Sequence, residues 1–227
     1  MRAARWRRGE SLEPLCQVVR RGGVLAIPTE SSYGLGADPA SETGVRAIYD
    51  IKGREAGKPL PVVVGSVEQA FALGVSADAP GLALLARVWP APVSLLVPTS
   101  RALPAAAGSG LLAIRVPADE ALRDLLLALG IGLTATSANR SGEPPLLDPD
   151  RVAALLGDRD AVVVVGERPL PGGAPSTVVS WAAGALRVER HGRLSEAHLR
   201  SLVAARENGG GGFSAAGVEI TVDKSCE

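Results

Sequence analysis

Residues 24–39 read VLAIPTESSYGLGADP, and this stretch decides the fold class. Its first five residues have the length and β-branched content of a buried strand. The residues that follow gather hydroxyls, a carboxylate, a tyrosine and two glycines before a helical pattern opens at Ser41, a candidate N-cap. A strand, a polar loop with no packing reason for its composition, then a helix is the repeating unit of an α/β protein. Outward from this unit, the runs PVVVG (61–65), VSLLVP (93–98), LLAIRVP (111–117), GLTATS (132–137), AVVVVG (161–166) and STVVSW (176–181) also read as strands. Helix-length patterns cover 12–21, 41–51, 118–129, 148–156 and 195–206. The alternation predicts helices packed on a largely buried mixed sheet in one globular α/β unit, with no internal repeat.

Composition narrows the function classes. The chain has 227 residues, 46% of them hydrophobic, enough for one sizeable core. Twenty-four basic residues balance twenty-four acidic ones, so no global field attracts nucleic acid or membrane, and anion binding has to come from local clusters. Cys16 and Cys226 form neither a disulfide framework nor a zinc spacing, and no signal peptide or membrane-spanning run is visible, so the expected setting is a reducing cytoplasm. The ends differ in texture. Residues 1–8, MRAARWRR, form a basic arm, and residues 208–212, NGGGG, form a flexible linker into the tail that ends at 227. Both read as peripheral, with a disordered start as the alternative to a nucleic-acid-binding arm.

Ligands in open α/β sheets bind at loops beyond strand ends, and four loops qualify. The first is 28–39, for which an ordinary Gly-rich turn is the alternative. The second, KGREAGKP (52–59), packs Lys52, Arg54 and Lys58 around two glycines after a helix, and convergence of the three cations would make a polyphosphate site. A Walker A loop requires four residues between Gly and Gly-Lys and then Ser or Thr. Here three residues separate Gly53 from Gly57, and Pro59 follows Lys58, so that reading fails. Cations solvated at a helix C-terminus remain the alternative, one that accounts well for Lys52 alone. The third loop, TSANRSGEP (136–144), offers Ser137 and Asn139 as neutral hydrogen-bonding groups, or an Asx or ST turn. The fourth, PGGAPSTVV (171–179), delivers Ser176 to the start of a strand.

Taken in order, PTESSYGLG, IYDIKGREAGKPLPVVV, AIRVP, TSANRSGEP and STVV resemble the signature blocks of the YrdC-like threonylcarbamoyl-AMP synthases, over residues 23 to about 193. The resemblance implies a twisted mixed sheet with flanking helices around a large positively charged cavity, in a catalytic domain over residues 9–207. It also implies synthesis of threonylcarbamoyl-adenylate from L-threonine, bicarbonate or CO2 and ATP, with release of pyrophosphate. The product would pass to a tRNA threonylcarbamoyl transferase that modifies the adenosine beside the anticodon. By the same resemblance, Lys52 and Arg54 are the expected catalytic pair. Lys52, Arg54, Lys58, Ser137, Asn139 and Arg190 would bind ATP, and Thr29, Tyr33, Arg115 and Ser176 would bind threonine. The family commonly carries a histidine where Val62, Val63 and Val64 stand, so one polar threonine contact does not carry over. Thr136 likewise replaces a common proline, and VERHG surrounds Arg190 where Leu-Arg-Pro-Gly is usual.

The chemistry needs no histidine base, since such phosphoryl transfer is mostly positioning and electrostatic stabilisation. His191 and His198 read as surface residues, and Mg2+ is expected to arrive with ATP, with no metal held by the protein. Two rivals stand beside this reading. One is a non-catalytic RNA- or nucleotide-binding protein of the same fold, with weak RNA binding through Arg2, Arg5, Arg7 and Arg8 around Trp6. The other is the related module of a much longer hydrogenase-maturation protein, against which chain length and the absence of zinc-finger cysteines count. Residues 213–222 have enough apolar character to dock as a lid over the cavity, with a disordered terminus as the alternative.

Overall fold

A computed structural model describes residues 3–54, 57–166, 168–207 and 220–222 of the chain. Arg2, the 208–212 linker and residues 213–219 of the expected lid lie outside the described residues. The helices begin where short polar side chains satisfy the first free amides. Ser41 is extended and its hydroxyl accepts from the Gly44 amide at 3.0 Å, opening α2 (Glu42–Lys52). Asp119 and Asp148 do the same for α5 (Glu120–Leu129) and α6 (Pro149–Leu156). Helices α1 (Glu13–Arg20) and α7 (Glu196–Glu207) also fall where periodicity predicts them. Helices α3 (Val67–Phe71) and α4 (Leu82–Val88) were not expected, because one or two turns carry too few residues for a helical period to emerge.

The strands are shared between two mixed sheets. The first has the order β1-β9-β2-β3-β8, built from β1 (Ala4–Trp6), β2 (Val24–Pro28), β3 (Tyr33–Gly36), β8 (Thr136–Ser137) and β9 (Ala161–Val164). The second has the order β12-β11-β10-β5-β6-β4-β7. Its members are β4 (Val62–Val63), β5 (Val93–Pro98), β6 (Leu111–Arg115), β7 (Leu133–Thr134), β10 (Thr177–Ala182), β11 (Ala185–Arg190) and β12 (Ile220–Val222). Both sheets mix parallel and antiparallel pairs, as in β2 with β9 and β2 with β3. The single run 132–137 divides at Ala135: β7 pairs with β4 in one sheet and β8 with β3 in the other. The chain thus crosses between the sheets at that residue, and the functional loops meet at this junction.

Two readings of the sequence are corrected. Residues 4–6 of the basic arm are neither peripheral nor disordered: β1 pairs in parallel with β9, in register from Ala4 with Val162 to Trp6 with Val164. Trp6 is buried, and its indole N–H donates to the Ser11 carbonyl at 2.9 Å. Burying that ring supplies the free energy that holds the arm in place. Arg5 and Arg8 pair with Asp150 and Asp124 of the chain itself. The second correction is β3, which lies inside what reads as a loop. Glycine has low strand propensity, but here the pairing partners β2 and β8 override it, with Pro28 opposite Tyr33 and Gly34 opposite Ser137. Residues 220–222 of the expected lid form β12, which pairs with Leu186–Val188 of β11.

The larger core cluster joins Leu35, Ile48, Leu95 and Ile114 across the two sheets, and a second packs Trp6, Leu15, Ile27 and Leu126 between α1, α5 and the first sheet.

Candidate functional site

The turn after β2 builds the first wall. Thr29 donates through Oγ1 to the Ser32 carbonyl at 2.7 Å, and its amide reaches the same carbonyl at 3.1 Å, closing a tight turn that returns the chain as β3. Tyr33 is buried, and its hydroxyl accepts from the Gly166 amide at 3.4 Å; burial raises its pKa above the usual phenol value. The β3–β8 pairing then sets Ser137 beside Gly34.

The second wall comes from the end of α2. Gly53 caps the helix with φ 60° and ψ 38°, a left-handed conformation that glycine adopts without a Cβ penalty, and the turn it makes redirects Arg54. The Arg54 guanidinium lies 5.3 Å from the centre of the Tyr49 ring. Its Nε is buried and has no hydrogen-bond partner among the described residues. Lys52 behaves differently. Its ammonium donates to the Ser137 carbonyl at 2.7 Å, to Asn139 Oδ1 at 2.9 Å and to the Asn139 carbonyl at 3.3 Å. Burial, and then the Arg54 charge, lower its pKa from 10.5 to about 8. Asn139 is tied in turn: Oδ1 accepts from Ser137 Oγ at 2.6 Å and Nδ2 donates to the Glu143 carbonyl at 2.6 Å. The Lys-x-Arg and Ser-x-Asn motifs are therefore one interlocked unit.

The third wall is the second sheet. Arg115 ends β6 and is buried; its Nη1 donates to Glu30 Oε2 at 2.5 Å. Ser94 of β5 shares a hydrogen bond with Ser176 at 3.1 Å, and Arg190 of β11 donates to the Ser176 carbonyl at 2.9 Å. Partial burial, and then the Arg115 charge, lower the Arg190 pKa.

These walls enclose a cavity of about 210 Å³. Seven residues proposed from the sequence line it: Thr29, Tyr33, Arg115 and Ser176 from the threonine set, and Arg54, Ser137 and Arg190 from the ATP set. Lys52 and Asn139 stand behind it, supporting Ser137. The structure does not bring Lys58 into the cavity with Arg54: it is exposed, does not line the cavity, and among the described residues only its carbonyl is engaged, accepting from the Tyr49 hydroxyl at 2.7 Å. Arg54 also lines an adjoining, more open depression of about 650 Å³ beside Tyr49. Another cavity, of about 280 Å³ between Trp6 and α5, is mostly apolar, and none of the ten site residues proposed from the sequence lines it.

Sequence reasoning missed Glu30, Ser94 and Arg193. Glu30 is the carboxylate inside the first quoted loop, a signal that was present. Arg193 donates to the Glu30 carbonyl at 3.0 Å and to the Gly172 carbonyl at 2.6 Å, and nothing in its local sequence marks it. His191 and His198 are exposed, as expected. Among the described residues no group of three or more His, Cys, Asp or Glu could hold a metal ion, and no helix is long and apolar enough to cross a membrane.

Three guanidinium groups and a set of hydroxyls line one cavity at a sheet junction of this α/β protein, with no carboxylate among the described lining residues, a composition chemically suited to anions. The chain belongs to the Sua5/YciO/YrdC family, described as "Telomere recombination", whose sequence profile matches residues 17–192. The threonylcarbamoyl-AMP synthase of Thiobacillus denitrificans is 36% identical over 170 residues, covering 73% of this chain and 88% of the relative. That of Chromohalobacter salexigens is 37% identical over 169 residues, covering 73% and 90%. The crystal structure of Pyrococcus abyssi Sua5 complexed with L-threonine superposes with a TM-score of 0.77 at 26% identity over 97% of this chain; the chain spans 63% of that longer protein.

Proposed function

We propose that the protein is an L-threonylcarbamoyladenylate synthase, joining L-threonine, bicarbonate or CO2 and ATP with release of pyrophosphate. The observation that carries this reading is the convergence of Arg54, Arg115 and Arg190 with Thr29, Ser137 and Ser176 in one cavity. The names of the relatives, and the threonine bound to the Pyrococcus protein, support it.

In this reading the amine of threonine takes up CO2 to give a carbamate. A carbamate oxygen attacks the α-phosphorus of ATP, the bond from that phosphorus to the bridging oxygen breaks, and pyrophosphate leaves with the electron pair. Arg115 pairs with the threonine carboxylate, while Thr29, Tyr33 and Ser176 surround the amino acid. Arg54, Ser137 and Arg190 receive the nucleotide, and Lys52 with Asn139 holds Ser137 in position. Positioning and fixed positive charge supply the catalysis, because a preorganised guanidinium held by the protein stabilises developing phosphate charge without reorganising. Lys58 would reach only the outer part of the triphosphate. The cationic and hydroxylic lining fits a Mg2+ that arrives on phosphate oxygens, where it neutralises the leaving pyrophosphate. The adenylate would pass to a transferase acting on tRNA, and a cytoplasmic setting is part of the proposal.

The test is incubation with L-threonine, bicarbonate, ATP and Mg2+, followed by pyrophosphate release and mass detection of the adenylate. Product that requires all three substrates, with serine and valine poorer than threonine, is the expected result. Equal ATP consumption with valine and threonine, or no adenylate at all, overturns the reading.

A further inference from the structure

Arg115 is buried at the end of β6, and its side chain is only 9% exposed. A guanidinium in that position needs a fixed partner, since an unpaired buried charge is strongly unfavourable. Glu30, 85 residues earlier in the chain, is that partner, and its side chain is 12% exposed. Both carboxylate oxygens engage the exit of β6: Oε2 accepts from Arg115 Nη1 at 2.5 Å, and Oε1 accepts from the Ala118 amide at 2.6 Å. The other donors of Arg115 make no hydrogen bond within the described residues, while the side chain lines the cavity.

The backbone of Glu30 fastens the opposite wall. Its carbonyl accepts from Arg193, which also holds the Gly172 carbonyl, and the Gly172 amide donates to the Ser31 carbonyl at 2.9 Å. The Thr29 turn, the end of β6 and the loop leading to Ser176 therefore meet at one residue. Burial pushes the Glu30 carboxyl upward, but the Arg115 charge and the hydrogen bonds from its own amide, Arg115 and Ala118 outweigh it and hold the group below the usual carboxylate range.

We propose that Glu30 is a positioning residue that fixes Arg115 so that its free N–H groups are presented to the carboxylate of the amino-acid substrate. This rests on the threonine-binding reading of the cavity. A carboxylate that holds one terminal nitrogen of a guanidinium, while its other oxygen is tied to the backbone, limits rotation of the planar group, so the substrate carboxylate meets donors that need little reorganisation. Glutamine cannot do the same. Its amide has one acceptor and one donor end, whereas Arg115 and the Ala118 amide are both donors. Aspartate keeps the charge but is one methylene shorter and reaches only one of the two.

The experiment compares the wild type with Glu30→Gln, Glu30→Asp and Arg115→Lys, alone and combined, measuring kcat and KM for threonine and for ATP along with thermal unfolding. Glu30→Gln should raise the threonine KM about tenfold or more, the loss of one charged hydrogen bond, with the ATP KM within about twofold. Glu30→Asp should fall between Gln and wild type. In the Arg115→Lys background, Glu30→Gln should add less than about twofold to the threonine KM, because the group it positions is already gone. A merely structural role would move both KM values and the melting temperature together, and that result overturns the inference, as does full additivity with Arg115→Lys. If Glu30→Gln does not fold, Glu30→Asp is read for the same split in KM, and no split overturns it. A wild type that makes no adenylate from threonine refutes the proposed function and this inference with it, whereas an active wild type with an unaffected Glu30→Gln refutes the inference alone.

Discussion

Lys52→Met separates two roles that the sequence does not distinguish. If Lys52 is a free phosphate ligand, its removal leaves the unliganded fold unharmed, or improves it, since a buried charge has been taken away. In the structure its ammonium instead clamps the β8 loop through Ser137 and Asn139. The two shorter bonds, at about 1.5–3 kcal/mol each for a charged donor, sum to about 3–6 kcal/mol. Holding the charge there costs on the order of 3 kcal/mol, from the drop in pKa from 10.5 to about 8. The difference is about 0–3 kcal/mol, and the Ser137 carbonyl left unpaired in the variant adds about 1–3 kcal/mol, so a net loss of about 1–6 kcal/mol is expected. For a chain of this size that corresponds to a fall in Tm of roughly 2–24 °C. The assay is thermal and urea unfolding of the unliganded protein, followed by the ATP KM. The pH dependence carries a second signature. Below pH 8 both folded and unfolded states hold the proton. Between about 8 and 10.5 the folded state releases it while the unfolded state keeps it. The unfolded state then binds more protons, so wild-type stability relative to the variant rises with pH through that window, by up to on the order of 3 kcal/mol. A Lys52→Met protein as stable as the wild type, with a constant difference from pH 7 to 10.5 and a raised ATP KM, would refute the clamp and return Lys52 to the phosphates.

Arg54→Ala should leave the melting temperature nearly unchanged, because the residue's hydrogen bonds are not what closes the fold, yet lower kcat/KM for ATP by about tenfold or more. Near-wild-type pyrophosphate release at low ATP would remove Arg54 from the site. Gly192→Ala should destabilise the protein by about 1–3 kcal/mol and raise the threonine KM, since the added carbon would meet the Pro175 carbonyl oxygen at 2.4 Å and the Ser176 carbonyl carbon at 2.5 Å. Both neighbours are backbone, so the strand start that carries Ser176 must move; an unchanged Tm together with an unchanged threonine KM would show that it does not.

The features that sequence alone determined are the local ones. Strand-length β-branched runs, the Ser41 cap and the helical periods of α1, α2, α5, α6 and α7 depend on residues within a few positions of one another, where propensity and pattern act directly. The motif loops were legible for the same reason, and seven of the ten proposed site residues line one cavity. What tertiary structure decided depends on partners distant in the chain. Strand β3 exists because β2 and β8 flank a glycine-rich segment, and β1 because β9 and a buried Trp6 hold it. Lys52 carries the same motif lysine in either role, and only the approach of carbonyls 85 and 87 residues away makes it a clamp. Lys58 is close to Lys52 in sequence yet exposed and outside the cavity lining. Glu30 and Arg115 each read as one polar residue among others until the sheets fold together. A buried ion pair is a property of the space between two segments, and neither segment encodes it alone.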